Sequence, residues 1–189
     1  MSRIDVLLAY PKRTLGVLAL VLVAVGVAVG SGANFSAQSA NPSNTFTAGT
    51  LTMDNSANNA AILTAGNWKP GDSQTGTVDI KNTGSLSGTF SLSRSALTDS
   101  DNTNPLSSKA DLVVHDCGTF SGATPPSCST GGTDVYTGTL AALTSSQALG
   151  TYAANEQHRY KVTATFNSGA GNVYQGGSST ATFTWNAAQ

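Results

Sequence analysis

From about position 45 onward, the hydrophobic side chains keep a period of two. Val78 and Ile80 alternate with Asp79 and Lys81, the pattern of a strand with one buried face. Leu86, Phe90 and Leu92 alternate with Ser87, Thr89, Ser91 and Ser93, and Gly88 takes an inward place. Between the two runs, Asn82-Thr83-Gly84-Ser85 is turn chemistry, so they are expected to form a hairpin. Upstream, Phe46 to Met53 is expected as the first core strand, with Phe46, Leu51 and Met53 apolar and Gly49 a bulge. Asp54 to Asn59 reads as a turn and Ala60 to Thr64 as a short strand. Lys69-Pro70-Gly71-Asp72 has Pro second and Gly third, which suits a type II turn.

Downstream, Leu112-Val113-Val114 is a buried-strand candidate, and Val135-Tyr136 and Leu140 to Leu143 mark one or two short strands. Ala153-Ala154-Asn155-Glu156 reads as a turn. Arg159 to Asn167 alternates, with Tyr160, Val162, Ala164 and Phe166 on one face. Gly177 to Trp185 closes the pattern, with Ala181, Phe183 and Trp185 inward. Pro105 to Ser108 is expected to make one helical turn, with Asn104 as its N-cap. No segment beyond residue 33 has a long helical period. Roughly eight to ten short strands with turn signals between them predict an all-β, jelly-roll-like β-sandwich.

The first 33 residues differ. Arg3, Lys12 and Arg13 precede Leu15 to Gly30, which holds no charge. This stretch reads as a signal peptide, a little shorter than the ~20 residues of a membrane span. Ser31-Gly32-Ala33 supplies small residues for cleavage between Ala33 and Asn34, with Ala37 and Ala40 as other possible points. A retained N-terminal anchor is the alternative. The expected organisation is therefore a signal peptide (1–33), a mature N-terminal segment (34–44) and a β-sandwich (45–189). No lipobox cysteine follows the apolar run, and the expectation is a secreted chain, released or held non-covalently outside the cell, that meets the membrane only through the signal peptide before cleavage.

Charged residues make up only 10% of the chain, against about 25% in ordinary domains. The net charge is −1. With no basic patch to hold phosphates, a nucleic-acid partner is not expected. Cys117 and Cys128 are the only cysteines. In an exported chain, an even count around a turn-rich loop argues for a disulfide. A metal site with His115 is the alternative, and it needs a fourth ligand. Asp99 to Asn104 has oxygen ligands at alternate positions, but Asn104 stands where a calcium loop needs Gly. It reads as a solvated loop of Asx turns.

Several short motifs carry a resemblance. Thr45, Phe46, Gly49, Thr50 and Leu51 form a TFxxGTL opening; Pro70, Gly71 and Asp72 form a turn; Asn82, Gly84, Ser85 and Leu86 form an NxGSL ending. Asn172-Val173-Tyr174-Gln175-Gly176 and Ala181 to Trp185 form a second patch near the C-terminus. In this order, behind an apolar leader, they resemble the TasA/camelysin family of secreted bacterial proteins. The resemblance implies removal of the leader by a dedicated signal peptidase. It implies a final strand around the YQG patch. It also implies head-to-tail fibres of one chain, built by donor-strand exchange. The donor segment would be Asn34, Phe35, Ser36, Ala37, Gln38, Ser39, Ala40, Asn41, Pro42, Ser43 and Asn44, with Phe35 as its large apolar anchor. The alternative reading of that segment is a disordered terminus.

Camelysin relatives have been classed as metallopeptidases, so catalytic chemistry must be sought. The chain has two histidines, His115 and His158, and neither lies in an H-E-x-x-H motif. Asn155-Glu156-Gln157-His158 reads as an exposed polar turn before a strand. No G-x-S-x-G elbow nominates a nucleophile. The expectation is a secreted structural subunit of extracellular fibres or biofilm matrix, not an enzyme, with no cofactor and no metal. A camelysin-like metallopeptidase and a monomeric secreted surface-binding domain are the alternatives.

Overall fold

A computed structural model describes residues 11–30, 45, 47–129 and 131–189. The chain divides into two compact units, Met1–Phe46 and Thr47–Gln189, each treated by itself. In the first, α1 spans Pro11–Gly30. Leu15, Leu20 and Val23 on it are more than half exposed. Among the described residues, no helix is long and apolar enough to cross a membrane. The uncharged part of α1 rises only about 24 Å, against ~30 Å of hydrocarbon. Ala33, Asn34 and the whole of 34–44 lie outside the described residues, and so do the cleavage and donor-strand expectations that fall on them.

The second unit is an all-β sandwich. Its strands are β1 (Met53–Asn55), β2 (Ser73–Asn82), β3 (Gly88–Asp99), β4 (Ala110–Thr119), β5 (Thr133–Thr139), β6 (Gln147–Tyr152), β7 (Gln157–Phe166) and β8 (Ser179–Ala188). One antiparallel sheet has the order β1-β2-β7-β4-β5, the other β6-β3-β8. Between them lies the core. Val78, Ile80, Leu112, Val114, Tyr160 and Val162 from the first sheet meet Phe90, Leu92, Tyr152 and Trp185 from the second. Each large apolar side chain buried there contributes roughly 1.5–3 kcal/mol. The inward sets expected on β2, β3 and β7 are the buried ones.

Several local expectations are corrected. The runs flanking Asn82-Thr83-Gly84-Ser85 are not a hairpin: β2 pairs with β1 and β7, while β3 pairs with β6 and β8. Alternation tells which face is buried but not which sheet a strand joins. Of the described residues 47–53, only Met53 lies in a strand, and Asp54 and Asn55 continue it rather than turning. Gly49 is therefore no bulge. Ala60 to Thr64 and Leu140 to Leu143 are irregular, and β6 was not foreseen. The helical turn is Leu106–Ser108, capped by Pro105 and not by Asn104. Asn172–Tyr174 is also a 3-10 turn rather than a strand.

Candidate functional site

The motif residues interlock. Thr50 N–H donates to Ser85 Oγ at 2.9 Å. The N–H groups of Ser85 and Leu86 both donate to the Thr50 carbonyl, and that of Thr83 to the Thr52 carbonyl. Asn82 is fully buried. Its side-chain amide donates to the carbonyls of Leu86, Tyr152 and Ala153, and its Oδ1 accepts from Gly84 N–H at 3.0 Å. A Cβ on Gly84 would sit 2.3 Å from the Thr50 carbonyl oxygen. The backbones of residues 50–52 and 82–86 thus touch where the chain passes from one sheet to the other. Similarly, Gly71 adopts φ 93°, and Gly71 N–H and the Asp72 carbonyl bond to Phe166 at the end of β7. Trp68 stacks near Phe166, with ring centroids 6.0 Å apart. These motifs hold backbone together; their side chains present no reactive group to a cleft.

The histidines are more informative. His158 faces inward on β7, opposite Ile80, with its side chain only 13% exposed. The expected exposed turn at Asn155–His158 is therefore corrected: β7 begins at Gln157, and His158 shares the parity of Tyr160 and Val162. Its Nδ1 lies 2.9 Å from Asp116 Oδ2 and its Nε2 3.1 Å from Glu156 Oε1. Each carboxylate is also served by backbone: Gly118 N–H donates to Asp116 and Ala153 N–H to Glu156. The ring stacks on Tyr152 with centroids 4.2 Å apart, and the Tyr152 hydroxyl bonds to that of Tyr160. Burial acts against the charged imidazole; the bonds to Asp116 and Glu156 and their charges outweigh it, and the His158 pKa is raised.

His115 lies elsewhere, on β4, where its ring reaches β5 and the loop before it. Its Nδ1 is 2.6 Å from Asp134 Oδ1 and its Nε2 2.9 Å from the Gly131 carbonyl. Both contacts raise its pKa, Asp134 foremost. Cys117 and Cys128 are joined in a disulfide with Cα atoms 4.8 Å apart. In the loop at Asp99 to Asn104, the Asp99 carboxylate accepts from Ser107 N–H and Oγ–H, and Asp101 accepts from Thr103 and Asn104.

A groove of about 550 Å³ lies at the end of the sandwich where β8 begins and β7 ends. Trp68, Leu112, Phe166, Tyr174, Ala181 and Phe183 are among the residues lining it. Ser179 Oγ, also in its wall, is buried without a hydrogen-bond partner. The first half of β8, through Ser179, Ala181 and Phe183, lines this groove, and among the described residues β8 pairs only with β3.

A family model described as camelysin metallo-endopeptidase matches residues 11–113, more than half of the chain. The chain belongs to this family. No curated protein matches it. The matched span holds the interlocked motif residues, the Pro70-Gly71-Asp72 turn and β1 to β3, and it ends inside β4. His158, Glu156 and the disulfide lie outside it. The family's description implies a metal, and the donors present do not fit one. Each histidine has an oxygen acceptor at both ring nitrogens, so neither offers a free lone pair. The two sulfurs bond each other. Among the described residues, no three His, Cys, Asp or Glu side chains converge to hold an ion.

Proposed function

We propose that the chain is a secreted structural subunit of an extracellular fibre. In this reading the apolar leader is a signal peptide. Its removal at Ala33 frees the segment 34–44, which adds as a strand to the next copy. The observation that carries the reading is that β8, beside the groove, is an edge strand among the described residues. An edge strand is a template for another strand, and a peptide laid on β8 brings N–H and C=O groups to its backbone and within reach of Ser179 Oγ. Phe35 would fill the groove near Phe166 and Phe183. Eleven extended residues reach roughly 36 Å, enough to leave one copy and enter another, and a head-to-tail contact of this kind need not close.

The test is polymerisation of chain starting at Asn34, followed by electron microscopy and size-exclusion chromatography. Filaments are expected, and removal of residues 34–44 should leave a folded monomer. Filaments from the shortened chain would sink strand exchange.

A metallo-endopeptidase is the second reading, favoured by the family's description. It predicts chelator-sensitive proteolysis that depends on His115 or His158. The donor set argues against it, so we expect no activity toward a generic protein substrate and no loss of thermal stability with EDTA.

A further inference from the structure

His158 does not line the groove, yet its ring is held by two carboxylates and a stacked tyrosine. We propose that it is a proton-operated clasp between the two sheets, closed when the ring carries both protons and opened when one is lost. The groups facing it come from every neighbouring element. Asp116 reaches it from β4, and Glu156 from the turn after β6. Tyr152 stacks on it from β6 in the opposite sheet, and Tyr160 follows it on β7. Ile80 of β2 and Thr119 of β4 are its uncharged strand neighbours. The next charged residue on β7, Arg159, points the other way and pairs with Asp79.

Only the doubly protonated ring donates to both carboxylates at once. A neutral ring keeps one N–H, so one carboxylate faces a lone pair inside a half-desolvated site, which is costly. Its cationic attraction for the Tyr152 face is lost too. The contacts that weaken are those that join β4 and β7 to β6. The direction follows from linkage: the folded state holds the proton more tightly than the unfolded chain. The stabilisation is then complete below the ordinary imidazole value near 6.5 and is lost as pH rises through the higher folded value.

The test uses the wild-type domain with its imidazole nitrogens labelled and followed by NMR from about pH 5 to about pH 9. His158 should keep both nitrogens protonated past the ordinary imidazole value near 6.5 and titrate above it. A ring that titrates at or below the ordinary value near 6.5 would overturn the proposal. Thermal melting over the same range supplies a second readout, in a His115→Gln background that removes the other histidine. Tm should fall across the alkaline half of the range, and His158→Gln should flatten that fall. Asp116→Asn should lower the His158 titration even if it costs stability. An unchanged titration in Asp116→Asn would equally refute the clasp.

Discussion

At the scale of single residues, the buried polar groups show what holds this domain together. Asn82 is the clearest case, since its amide bonds to three carbonyls and one N–H where the chain crosses between the sheets. Asn82→Ala should lower unfolding stability by about 3 kcal/mol, from the range of unsatisfied buried groups. Urea unfolding checks this, and an unchanged midpoint would show that the crossover is held by other contacts. Asn82 was legible in the sequence only as a turn former. Nothing local reveals that its partners include Tyr152 and Ala153, 70 and 71 residues away. His158 was in principle legible. It keeps the parity of Tyr160, Val162 and Phe166, and Asp116 keeps that of Leu112 and Val114. The polar character of both residues masked an inward register that alternation alone predicts.

At the scale of elements, the strands that keep a clean period of two were legible and those with irregularities were not. β7 alternates without interruption. β6 carries a register shift against Phe90 and Ser91, so Leu149 and Tyr152 are three apart and no alternation appears. The opening motif failed as a strand for another reason: its backbone bonds to residues 83–86 in an irregular clasp, not to a sheet. Gly84 shows how tight that clasp is. A Cβ there would meet backbone rather than a flexible side chain, so Gly84→Ala should lower Tm by several degrees while Gly66→Ala, which meets nothing, should not. The disulfide acts on a different part of the fold. It closes a loop with a sequence separation of 11, and in the chain-entropy account such a loop contributes about 3 kcal/mol. Reduction should therefore lower the urea midpoint without unfolding the domain outright, because the core lies elsewhere. A reduced domain as stable as the oxidised one would mean that the loop is already ordered in the unfolded chain.

At the scale of the molecule, the edges of the sheets decide where a further strand can be added. Asp79 and Arg159 pair across β2 and β7 inside the five-stranded sheet. Among the described residues the three-stranded sheet ends in β8, which adjoins the groove. A subunit of the proposed fibre has two separable parts, a segment that lends and a groove that receives, and each can be disabled alone. A chain lacking residues 34–44 receives but cannot lend. Ala181→Arg, placed in the wall of the groove, lends but cannot receive, since a guanidinium would occupy the path of the incoming strand. Ala181 is only partly buried, so the substitution extends into open space and the sandwich should fold, as circular dichroism would verify. Each variant by itself should stay monomeric. Mixed in equal amounts, they should form a heterodimer and stop there, because the pair has no lending segment left beside a free groove. Sedimentation velocity distinguishes the outcomes. A dimer confined to the mixture supports lending from one copy to the groove of another. Filaments from Ala181→Arg by itself would place the receiving edge elsewhere, and monomers in the mixture would leave the sandwich without strand exchange.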